Sequence, residues 1–86
     1  MRILVVEDEH KLADLLERGL VEEGHAADVA RTGEEALWMA GSVEYDAIVL
    51  DLMLPGVNGV EVCRRLRESD VWSPVLMLTA RDAIED

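Results

Sequence analysis

The chain has 86 residues, half of them apolar but only 3% aromatic, and carries a formal charge of −11. That length allows one domain, with a core built from aliphatic side chains. The acidic balance opposes direct binding to nucleic acid or an anionic membrane. The single cysteine, Cys63, excludes an internal disulfide framework and fits a reducing compartment. Met1-Arg2 leads into only four apolar residues before Glu7, which is too short for a secretory leader. No run approaches membrane-spanning length, so the chain reads as soluble and cytoplasmic.

Ile3-Leu4-Val5-Val6 is a continuous apolar run and reads as a strand buried on both faces, ending in the acids Glu7-Asp8-Glu9. Leu12, Leu15, Leu16, Gly19 and Leu20 then recur at helical spacing, and Gly24 marks the stop. Ala26–Ala30 carries Asp28 inside it and reads as an edge strand. Thr32-Gly33-Glu34-Glu35 has the form of a capping box opening a second helix that closes around Gly41. Ala47-Ile48-Val49-Leu50 runs straight into Asp51, and Pro55-Gly56 ends the segment. Asn58-Gly59 opens a third helix, with Val60, Cys63 and Leu66 in register, that closes near Ser69-Asp70. Val75-Leu76-Met77-Leu78 is a further apolar strand ending at Thr79-Ala80, and Arg81–Asp86 looks like the entrance to another helix. Strands alternating with helices at this spacing predict right-handed crossovers and a parallel sheet.

Chemistry concentrates at three strand ends: Glu7-Asp8, Asp51 and Thr79. In a parallel sheet all carboxyl ends lie along one edge, where open α/β folds place their ligand sites. Carboxylates gathered there repel one another unless a cation neutralises them. Oxygen donors without Cys or His point to a hard metal, Mg²⁺ before Ca²⁺. An aspartate beside such an ion can attack a phosphoryl donor to form an aspartyl phosphate, and the Thr79 hydroxyl can hydrogen-bond a phosphoryl oxygen.

These stretches, together with Asp51-Leu52-Met53-Leu54-Pro55-Gly56 and Gly59, resemble the receiver domain of two-component response regulators, closest to the OmpR/PhoB subfamily of winged-helix transcription factors. The resemblance implies a flavodoxin-like, doubly wound α/β sheet of order 2-1-3-4-5, here 2-1-3-4. It implies that Asp51 accepts a phosphoryl group from a sensor histidine kinase. Glu7, Asp8, Asp51 and the backbone carbonyl of Met53 would hold Mg²⁺, with Thr79 as switch hydroxyl and the Ala80 amide facing the phosphate. Pro55 and Gly59 match the conformational loop after the acceptor strand. Such a domain is a signalling switch rather than an enzyme. The family's fifth strand with its lysine, its fifth helix and any DNA-binding domain have no counterpart before Asp86, and Lys11 is the only lysine. Residues 1–86 therefore read as an amino-terminal part of a receiver.

Right-handed crossovers in this order put the first helix alone on one face and the other two on the opposite face. The first helix's face then stays bare over the third and fourth strands. Losing about 300 Å² of apolar cover at ~25 cal/mol per Å² costs about 7 kcal/mol, comparable to a whole domain's stability. Poor folding, or self-association through that face or the fourth strand's edge, is expected. The competing functions are a phosphate-independent interaction module and a haloacid-dehalogenase-like phosphatase. The phosphatase pattern needs an acid two residues after its nucleophile, where Met53 stands. Among the other residues, His10 and His25 are expected to be structural. Cys63, Met39, Met53 and Met77 are expected to pack, Arg64, Arg65 and Arg67 to be solvated, and Trp38 and Trp72 are candidate surface contacts.

Overall fold

The computed structural model of the chain describes residues 1–78. Strands and helices alternate along it: β1 (Arg2–Val6), α1 (His10–Glu22), β2 (Ala26–Ala30), α2 (Gly33–Ser42), β3 (Ala47–Asp51), α3 (Gly59–Glu68) and β4 (Val75–Leu78). The strands pair in parallel in the order β2-β1-β3-β4, the order that the family resemblance implies. The helix expected over Arg81–Asp86, like Thr79 and Ala80, lies outside the described residues.

The apolar run of β1 dictates its central place. Ile3, Leu4, Val5 and Val6 are each 5% exposed or less, which requires neighbours on both edges and cover on both faces. β2 lies at one edge. Its Asp28 is matched there by the Tyr45 hydroxyl, which donates to Asp28 Oδ2 at 2.7 Å, and by the Arg2 guanidinium at 3.3 Å.

Because strand side chains alternate between faces, Leu4, Val6, Ile48 and Leu50 share one side, where Ala36, Ala40, Val62 and Leu66 of α2 and α3 close over them. Ile3 and Val5 point to the other side, under the fully buried Ala13 of α1. In register, Val49 sits beside Leu76 on that same side. No element among the described residues covers β4 there, and Leu76 is 61% exposed. Among the described residues, the bare patch expected from the topology is present.

The helix ends follow side-chain chemistry. Asn58 Oδ1 accepts from the Glu61 amide at 2.9 Å, and Thr32 Oγ1 accepts from the Glu35 amide at 3.0 Å. The capping box is shifted by one residue: Glu35 Oε1 takes the amide of Arg31, at 2.7 Å, instead of that of Thr32. Gly24 ends α1 at φ 94°, and Asp70 takes the same left-handed role after α3 at φ 64°.

Two packing expectations need correction. Met53 does not pack, because the chain has left the sheet beyond Asp51 and the side chain is 60% exposed. Met77 is only marginally covered, because its face of β4 lies at the sheet's edge. Arg64 and Arg65 are solvated and paired with Glu61 and Glu68. Arg67 instead turns toward the loop after α3, donating to the carbonyls of Val71 at 2.8 Å and Ser73 at 3.0 Å and lying 5.4 Å over the Trp72 ring. Trp38 and Trp72 are surface residues, while Cys63 and Met39 pack against the core.

Candidate functional site

β1 and β3 are neighbours with Val6 opposite Leu50, so Glu7 and Asp51 follow side by side at the carboxyl edge of the sheet. Both fall on the face of Val5 and Val49. Glu7, Asp8 and Asp51 each offer a ligand oxygen, and these oxygens lie within 4.8 Å of one another. Their surroundings differ: Asp8 is exposed and Asp51 half-buried, while Glu7 is only 4% exposed.

Glu7 is held tightly. Its amide donates to the Ala30 carbonyl at 3.0 Å, and its Oε2 accepts from the Glu9 amide at 3.1 Å. Burial pushes its carboxyl above the ordinary range. The Glu9 amide opposes this, while the neighbouring Asp51 and Asp8 carboxylates push it further up. A group of this kind gains from a nearby cation. The donors are all oxygen, which fits a hard divalent ion such as Mg²⁺ that keeps several waters.

Asp51 shapes its own loop. Its Oδ1 accepts from the Met53 amide at 3.0 Å, an Asx turn that holds Met53 beside the cluster. The Leu52 amide donates to the Leu78 carbonyl at 3.0 Å, so β4 ends level with Asp51. Thr79 and Ala80 are the next residues of the chain. Gly59 closes the loop from the other side, its amide donating to the Leu52 carbonyl at 3.2 Å. A Cβ at position 59 would lie 2.7 Å from the Asp51 carbonyl oxygen and 2.8 Å from Leu52 Cα, so only glycine fits.

Sequence spacing alone did not single out Glu9. Its side chain caps α1 by accepting from the Leu12 amide at 2.9 Å, while its own amide fixes Glu7. The three-residue interval from Glu9 to Leu12 was the signal available for it. His10 lies near this edge with its Nδ1 2.5 Å from the Arg31 guanidinium. His25 Nδ1 lies 3.2 Å from the chain's amino terminus. Neither histidine is among the clustered ligands.

The model of the response regulator receiver domain family matches residues 3–86. Among curated proteins, the transcriptional regulatory protein TcrA of Mycobacterium tuberculosis is 57% identical over 86 residues, covering 100% of this chain and 34% of TcrA. The chain spans only about a third of the length of the curated relatives it matches. Among solved structures, the Thermotoga maritima response regulator TrrA in complex with Mg(2+)-BeF superposes with a TM-score of 0.88 at 40% identity, covering 98% of this chain and 73% of that one. The same regulator bound to the histidine kinase ThkA gives a TM-score of 0.87 at 40% identity, over 99% of this chain and 73% of that one. By sequence, strand order and clustered acids alike, the chain belongs to the response regulator receiver domain family.

Proposed function

We propose that this chain is the phosphoryl-accepting part of a two-component signalling protein, with Asp51 as acceptor and a sensor histidine kinase as donor. The observation that carries it is the convergence of Glu7, Asp8 and Asp51 at the end of the central strands. An Asp51 carboxylate oxygen attacks phosphorus, the phosphorus–nitrogen bond of the donor phosphohistidine breaks, and the imidazole leaves with the electron pair and takes up a proton. Glu7, Asp8, Asp51 and the Met53 carbonyl would hold Mg²⁺, which when bound would supply charge neutralisation for the phosphoryl oxygens. Thr79 and the Ala80 amide follow β4 and would receive the phosphoryl group's remaining oxygens. The signal would pass to a transcription-factor output in the longer protein. The chain acts as a switch, without turnover of its own.

Acetyl phosphate with Mg²⁺, read by intact mass, tests this. One phosphoryl group is expected on the wild type, and none on Asp51→Asn or after Mg²⁺ is chelated. Equal labelling of Asp51→Asn refutes the assignment.

A second reading, association between copies through the bare face of β4, is favoured by the exposure of Leu76. Sedimentation velocity should then show a dimer that Leu76→Glu disperses, and a monomer at all concentrations refutes it.

A further inference from the structure

The segment Leu52–Asn58 that joins the acceptor strand to α3 is clamped at two positions that lack a side chain. Gly59 forms one, against Asp51 and Leu52. The other is Gly33, the buried first residue of α2, which belongs to a different crossover. A Cβ on Gly33 would lie 2.7 Å from Val62 Cγ2, 3.0 Å from the Val57 carbonyl oxygen and 3.1 Å from Val57 Cβ. Val62 is fully buried and β-branched, so it has no free rotamer to yield into. The Val62 contact is relieved by moving α2 and α3 apart toward the 3.4 Å of ordinary contact, and the two Val57 contacts by moving α2 or the segment that carries Val57. Leu54 and Val57 both seat the segment against the core, and Pro55 stiffens the stretch between them.

We propose that Gly33 is a positioning residue for the metal-holding loop. By letting α2 touch Val57 directly, it sets where the segment carrying Met53 lies relative to Glu7 and Asp8. This rests on the Mg²⁺ reading above. Mg²⁺ demands near-ideal octahedral geometry, so a shift of a few tenths of an ångström in one donor is felt as lost affinity. Outer contacts that orient metal ligands typically change affinity about 10–100-fold when disturbed.

The test compares Gly33→Ala with two controls. Gly41→Ala lies in the same helix with open space around its Cβ, and Val62→Ala removes core packing without pressing on the loop. Mg²⁺ titration by calorimetry, Tm without metal, and the Met53 amide resonance of the metal-free protein are measured for each. Gly33→Ala should weaken Mg²⁺ binding about tenfold and move the Met53 resonance. Gly41→Ala should change neither, and Val62→Ala should lower Tm while leaving affinity intact. If Gly33→Ala does not fold, Val57→Ile presses on the same contact from the loop side and should weaken Mg²⁺ binding in the same way. Unchanged affinity in Gly33→Ala, or losses that track Tm across all variants, overturns the positioning role alone. No Mg²⁺ binding by the wild type overturns the metal reading and this one with it.

Discussion

Removing the hydroxyl of Tyr45 tests how the edge strand is held. Tyr45 is 4% exposed and its hydroxyl donates to the Asp28 carboxylate at 2.7 Å. A hydrogen bond to a charged group contributes about 1.5–3 kcal/mol. Tyr45→Phe keeps the ring packing and leaves Asp28 with Arg2 at 3.3 Å, so a loss of about 2 kcal/mol is expected at neutral pH. In a domain of this size that lowers Tm by about 8–16 °C. The same contact predicts a pH signature. Burial, then the Asp28 hydrogen bond and charge, push the Tyr45 hydroxyl up from about 10 to about 12. Its stabilising contribution is therefore complete below about pH 10 and is lost as pH rises through about 12. Urea melts of both proteins from neutral to strongly alkaline pH check this, since Tyr45 is the only tyrosine. Wild type and Tyr45→Phe should differ by a constant gap that closes only in the alkaline range. A gap below roughly 0.5 kcal/mol at neutral pH, the lower end for a neutral hydrogen bond, refutes the reasoning. So does a gap that stays open throughout.

Two further outcomes follow from the site and the core. Burial raises the Glu7 carboxyl from its ordinary value near 4.5, so its contribution is favourable while protonated and is lost as pH rises through the raised value. In chelator at neutral pH, Glu7→Gln should melt above the wild type, and saturating Mg²⁺ should reverse the order. An unchanged order with Mg²⁺ would show that Glu7 is no ligand. Leu66 of α3 points into the core and is 1% exposed, so Leu66→Ala should cost about 2–5 kcal/mol, measured as a shifted urea midpoint at unchanged slope.

The features legible in the sequence were those set by local pattern. The unbroken run of β1 forced a central strand covered on both faces. β3 reads the same way but is buried only at Ile48 and Leu50, because no helix among the described residues covers its other face fully. The parallel sheet then brought the strand ends bearing Glu7, Asp8 and Asp51 together. The features not legible depend on partners distant in sequence. Asp28 marked β2 as an edge strand, but its pairing with Tyr45 exists only once β2 and the segment before β3 meet. Arg67 looked like its neighbours Arg64 and Arg65 on the helix, yet the turn after α3 offered it two carbonyls. Gly33 read as part of a cap, and its contact with Val57 exists only because α2 and α3 share one side of the sheet.

The central position of β1 also sets the order in which this protein can assemble. Ile3 pairs with Ala27 on one edge and Ala47 on the other, so its second partner is made roughly 44 residues later. At synthesis rates of about 5–20 residues per second, Ile3-Leu4-Val5-Val6 spends on the order of 2–9 seconds with that edge open. Such an apolar strand is the kind of segment that misassociates when exposed. Synthesis of β3 is therefore the event that closes this edge of β1.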